Sequence, residues 1–170
     1  MKILVMGLPG AGKTWLAERL VKILDNCGWY NADVIRNAAN DWDFSPTGRL
    51  RQANRMKTIA DFEVSNGRWV ICDFVAPTQN AREQFKPDLT IWVDTISEGR
   101  FEDTNKIFET PSGVDYHIKQ YFMCIGSTTS FFSTFILALA SFVCIWNYSK
   151  IKNYIRKISS KHFSKKPKLQ

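Results

Sequence analysis

The chain has 170 residues, a length suited to one domain, and its 23 Lys and Arg against 16 Asp and Glu give a formal charge of +7. All 16 acids lie at or before Asp115 and eight of the bases lie between Lys150 and Lys168, which leaves residues 1–149 with 15 bases against 16 acids. The basic excess belongs to the tail, so a nucleic-acid surface on the first 149 residues is not implied.

The chain opens on the apolar run "KILVM", whose length and composition read as a fully buried strand. "MKILVMG" is too short an apolar run for a signal peptide, which places the N-terminal domain in the cytosol as an expectation. The strand leads into "GLPGAGKT", where Gly7, Gly12, Lys13 and Thr14 fit G-x-x-x-x-G-K-[ST] ahead of an amphipathic helix from Trp15 to about Ile23. Glycines at 7, 10 and 12 let the backbone turn its N–H groups inward, so Gly7, Leu8, Pro9, Gly10, Ala11, Gly12, Lys13 and Thr14 form a candidate nest for the phosphates of ATP. In such a loop Lys13 reaches the β and γ phosphates and the Thr14 hydroxyl ligates Mg²⁺. The same loop serves hydrolases, switches and kinases, so it fixes the nucleotide and not the reaction.

A short strand at Trp29–Asn31 follows, then a helix over "VIRNAAN". A long helix from about Arg49 to Val64 has Ala53, Met56, Ile59, Ala60 and Val64 at helical spacing. Trp69 to Phe74 reads as a strand entered through a turn at Asn66 and Gly67, and Leu89 to Val93 as another. Asp73 stands where a carboxylate holding Mg²⁺ through water would sit, an assignment made by position alone. Strands alternating with helices imply a parallel sheet with ligands at its carboxyl end. The expected fold is an α/β, P-loop NTPase-type three-layer α/β/α domain over residues 1–118. Cys27, Cys72, Cys124 and Cys144 show neither C-x-x-C spacing nor a nearby His and read as buried or free thiols.

Taken with the phosphate loop, "NADVIR", "DFSPTGRLRQANR" and "FVAPTQNAR" give an ordered series of motifs over roughly Met1 to Asp115 that resembles adenylylsulfate kinase. The resemblance implies transfer of phosphate from ATP to the 3′-hydroxyl of adenosine 5′-phosphosulfate. The family's D-G-D-x-x-R appears here as Asn31 to Arg36, with the second acid and the arginine kept and the first acid absent. Asp33 is then the carboxylate that accepts or orients the hydroxyl proton, with Lys13 the catalytic lysine, and Arg36 clamps the phosphosulfate anion. An N-cap on the following helix is the other role that fits Asp33. "FSPTGR" resembles the family's "GFSxxDR", so Phe44 would stack on adenine and Arg49 would contact the anionic end. Gln52 stands at a family asparagine, and Arg55 matches an arginine further along the helix. Arg51 and Lys57 lie on other faces and read as solvated charges. "FVAP" resembles a loop whose backbone runs along the acceptor, which adds Phe74 and Val75. After "LTIWVD", Arg100, Asp103 and Lys106 approximate the family's lid pattern, but the lid is much shorter; a surface pair of Asp103 with Lys106 is the alternative.

Gln120 to Ser149 form 30 residues without a charge, followed at once by the lysine-rich end. A hydrophobic, membrane-associated helix at 119–149 and a basic tail at 150–170 are expected, with Tyr121, Trp146 and Tyr148 placed as interfacial aromatics; a buried hydrophobic helix covering the sheet is the alternative. ATP chemistry and the positive-inside rule then compete, because both the N-terminal domain and the tail belong on the cytoplasmic side. A tail-anchored span, a segment lying on anionic lipid and a fused segment unrelated to catalysis stay open, as does a homodimer. A non-catalytic nucleotide-binding protein and a P-loop kinase for another small hydroxyl acceptor are the alternative functions.

Overall fold

The structure is a computed structural model, and it describes residues 1–120, 151, 153 and 154. The chain divides into two compact units, Met1–Lys119 and Gln120–Gln170. The expected helix at 119–149 falls outside the described residues except for Lys119 and Gln120, neither of which is helical. Among the described residues no helix is long and apolar enough to cross a membrane.

The first unit is built on five parallel strands, β1 (Lys2–Met6), β2 (Cys27–Asn31), β3 (Trp69–Asp73), β4 (Leu89–Val93) and β5 (Tyr116–Ile118), in the order β2-β3-β1-β4-β5. β1 and β3 are buried at every position, as strands covered on both faces require. Even Lys2 is buried; its Nζ donates to Asp61 Oδ1 at 2.7 Å and to the Phe85 carbonyl at 2.9 Å, which offsets the loss of water.

The helices are α1 (Lys13–Val21), α2 (Ala32–Ala38), α3 (Pro46–Ser65), α4 (Gln79–Phe85) and α5 (Glu102–Ile107). Side chains alternate across each strand. Leu4, Met6, Val70 and Cys72 share one face with Met56 and Ala60 of α3 and Phe85 of α4. α1 packs on β1, β2 and β3 through Leu16, Ala17 and Leu20.

α3 begins three residues before its expected start. Ser45 Oγ accepts from the Gly48 N–H at 3.1 Å and Pro46 occupies the first turn, so a cap and a proline set the start ahead of the apolar pattern. β2 likewise runs longer than expected, from Cys27, because Gly28 and Cys27 pair with Val70 and Trp69 despite their weak strand preference. β5 has three residues and was not visible as an apolar run.

The chain steps outward from β1 to β2, returns to β3, then crosses to β4 on the other side of β1. The carboxyl ends of β1 and β3 therefore sit at the point where the winding reverses, which is where ligands lie in open α/β sheets.

Candidate active site

The loop after β1 depends on its glycines. Gly7, Gly10 and Gly12 have φ of 142°, 97° and 91°, and a Cβ on Gly7 would lie 2.1 Å from the Val93 carbonyl oxygen. Any side chain at 7 collides with β4. Leu8, Pro9 and Ala11 shape the same loop: Lys13 Nζ donates to the Leu8 carbonyl at 2.9 Å and Thr95 Oγ1 to the Ala11 carbonyl at 2.8 Å. A Cβ on Gly99 would lie 3.0 Å from Pro9 Cδ, so the short segment after β4 rests against the loop. Burial lowers the Lys13 ammonium to about 8, against the opposing fields of Asp73 and then Asp33.

Register brings the second part together. Val5, Asp73 and Asn31 lie in one row across β1, β3 and β2 at the carboxyl end of the sheet. Asp73 is 1% exposed. Its Oδ1 accepts from Trp29 Nε1 at 2.8 Å, and its Oδ2 from Thr14 Oγ1 and from Asn31 Nδ2, each at 2.8 Å. Burial raises the Asp73 carboxyl above its ordinary value, and the three donors pull it back. Thr14 and Asp73 offer hard oxygens, one hydroxyl and one carboxylate, at the edge of the phosphate loop. Among the described residues no group of three or more His, Cys, Asp or Glu could hold a metal. A divalent cation here would complete its shell with phosphate oxygens and water, which suits Mg²⁺.

The residues expected on the acceptor side are placed differently from one another. Asp33 lies exposed in the first turn of α2, but it is not the cap; Asn31 Oδ1 accepts from the N–H groups of Asp33 and Val34 at 3.0 and 3.1 Å. Arg36 is buried, with Nη1 donating to the carbonyls of Asp41 and Asp43 at 3.0 Å and the guanidinium 4.6 Å from the Phe44 ring centroid. It fixes the 41–44 loop rather than standing open as an anion clamp. Phe44 is 49% exposed beside Trp42, their centroids 6.3 Å apart. Arg49 donates Nε to the Phe44 carbonyl at 2.8 Å and Nη2 to Asp103 and to Thr104.

Gln52 is buried between the Ala32 carbonyl, 3.0 Å away, and Arg55, and so braces α2 on α3 instead of facing a ligand. Arg51 makes two bonds of 2.7 Å to Asp41, and Lys57 pairs with Asp61, as solvated charges would. Arg51 and then Arg55 hold the Asp41 carboxyl well below the usual carboxylate range.

Phe74 is a core residue, edge-on to Phe85 at 5.3 Å. Only its backbone, with Val75, is left to line the strand end. The segment that follows is held by Arg82, whose Nε donates to the Ala76 carbonyl at 3.0 Å and Nη2 to the carbonyls of Pro77, at 2.9 Å, and Glu109. Lys106 pairs with Glu102 at 2.7 Å, not with Asp103, which belongs to Arg49. Trp29, Asn31, Asp41 and Arg82 enter the site or its support without having been singled out from sequence. Of these, Asn31 and Arg82 carried a signal, their positions in "NADVIR" and "FVAPTQNAR".

A parallel sheet wound out from β1, with a glycine-cradled phosphate loop beside a buried carboxylate, defines a P-loop nucleotide-binding α/β protein. Residues 1–97 match the family model Adenylylsulphate kinase, more than half of the chain. The chain belongs to the adenylylsulphate kinase family. It is 37% identical over 89 residues to a probable adenylyl-sulfate kinase of Aeropyrum pernix, covering 47% of this chain and 46% of that protein. Over 100 residues it is 31% identical to the bifunctional enzyme NodQ of Azospirillum brasilense, covering 52% of this chain and 16% of that protein. The chain thus spans about half, or less, of the curated relatives it matches. The Mycobacterium tuberculosis APS kinase CysC, solved in complex with AMPPNP and APS, shares the fold at a TM-score of 0.57 and 17% identity, covering 69% of this chain and 86% of that one.

Proposed function

We propose that the chain uses ATP to phosphorylate the 3′-hydroxyl of adenosine 5′-phosphosulfate. The observation that carries this reading is the row at the carboxyl end of the sheet, where Asp73 accepts from Thr14 of the phosphate loop and from Asn31, whose Oδ1 in turn holds the first turn of the helix that carries Asp33. The loop backbone and Lys13 would hold the triphosphate, and Thr14 with Asp73 would hold Mg²⁺. Bound there, Mg²⁺ would supply charge neutralisation for the departing diphosphate. The bond from the γ phosphorus to the bridging oxygen breaks as the 3′ oxygen bonds to phosphorus. The hydroxyl proton passes to Asp33, and ADP leaves. Phe44 gives an exposed ring for adenine, and Arg49 a guanidinium for the anionic end.

One observation favours a second reading, a kinase for a less anionic hydroxyl acceptor. Arg49, Arg51 and Arg55 are already paired with Asp41, Asp43 and Asp103, so the acceptor face has little positive charge to spare. Incubating the full chain with labelled ATP, Mg²⁺ and either adenosine 5′-phosphosulfate or uncharged polyols separates the two. Label on the sulfate nucleotide alone supports the first reading; label on the polyols overturns it.

The uncharged segment after Gln120 and the basic end support membrane association of the whole chain.

A further inference from the structure

Three parts of the site meet at Asn31. Its Nδ2 donates to Asp73 Oδ2 at 2.8 Å and to Thr14 Oγ1 at 3.2 Å. Its Oδ1 accepts from the N–H groups of Asp33 and Val34. One planar amide therefore has its donor end on the Thr14–Asp73 pair and its acceptor end on the helix that carries Asp33. The backbone sets this up, because Asn31 and Asp73 are register partners at the last positions of adjacent parallel strands.

Few side chains could serve both ends. Asparagine combines two donors with an acceptor on one short stem. A serine would cap α2 and fall short of Asp73. An aspartate would cap it equally well but set its carboxylate against the buried carboxylate of Asp73. The family motif has an acid here; this chain has a neutral amide at 31 and a buried acid on the neighbouring strand.

We infer that Asn31 is a positioning residue for the divalent cation, acting through Asp73. By turning Oδ2 of Asp73 toward Thr14 while pinning the first turn of α2, it ties the metal carboxylate and the acceptor carboxylate to one point. The inference rests on the nucleotide half of the proposed function and not on the identity of the acceptor.

The test uses the full chain as parent, Asn31→Ser, Asp73→Ala and the double variant. ATP binding is measured by calorimetry with Mg²⁺ and with EDTA, alongside melting curves. Serine keeps the cap, so Asn31→Ser should melt near the parent; Asn31→Thr is the alternative if it does not. With Mg²⁺, ATP binding by Asn31→Ser should weaken about tenfold, the scale of one lost bond to a charged group. With EDTA it should not change, and in the Asp73→Ala background the substitution should add nothing. Parent-like binding of Mg²⁺-ATP, an equal loss with and without the metal, or additive losses would each overturn the inference. A parent that binds Mg²⁺-ATP normally yet transfers nothing to the sulfate nucleotide would refute the acceptor reading while leaving this one intact.

Discussion

Lys13 is partly buried, and burial brings its ammonium down to about 8. Above that pH the nucleotide-free protein carries a neutral lysine, whereas a bound triphosphate favours the charged form. ATP binding should therefore take up a proton above pH 8, and affinity should fall as pH rises. Calorimetry in buffers of different ionisation enthalpy measures the uptake; none between pH 8 and 9 would refute it. Stability runs the other way. The unfolded lysine keeps its proton to about 10.4, so between the two values the unfolded state binds more protons and the nucleotide-free fold gains stability with rising pH. Asp103 belongs to the same scale. Its carboxylate pairs with Arg49, so Asp103→Asn should lower KM for the sulfate nucleotide if Arg49 meets its anionic end as proposed. Asp103 is exposed, which limits the gain to about fivefold. Initial rates against acceptor concentration give the answer, and an unchanged or raised KM would show that Arg49 does not meet the anion.

Elements place these residues, and Arg82 of α4 shows how. Buried, it binds the carbonyls of Ala76, Pro77 and Glu109 with one guanidinium and so fixes the chain where it leaves β3. A lysine has the charge without the fork. Arg82→Lys should cost about 2–4 kcal/mol in denaturant unfolding, the range for a buried charge stripped of part of its bonding; a loss below about 0.5 kcal/mol would contradict the role. Arg82 ends the family-like "FVAPTQNAR", but nothing there disclosed its role, because its three acceptors are backbone carbonyls, one of them 27 residues away. The phosphate loop was legible for the opposite reason: its geometry is local and demands glycine at fixed spacing. Phe44 and Phe74 mark the boundary between these cases. Both stand in family-like motifs, yet the strand alternation that buries Phe74 against Phe85 takes its side chain out of the site. Asn31, at a position where the motif has an acid, gained a role only when register set it beside Asp73.

At the scale of the whole molecule the charge is divided along the chain, near neutral to residue 149 and strongly basic beyond it. An uncharged stretch next to a basic end should carry the protein onto anionic lipid. The full chain should float with vesicles containing phosphatidylserine and remain at the bottom of the gradient with none; equal behaviour in both would remove the membrane proposal without touching the kinase one. The proposed catalysis joins the scales, since Asp33 would need the loop, the row of strand ends and α2 in register to meet a hydroxyl. Labelled ATP, Mg²⁺ and adenosine 5′-phosphosulfate incubated with the full chain, parent against Asp33→Ala, test that most directly. The expected result is label at the 3′ position from the parent alone, with ATP bound equally by both. Equal turnover by the two, or bound ATP with no transfer by the parent, would contradict the account.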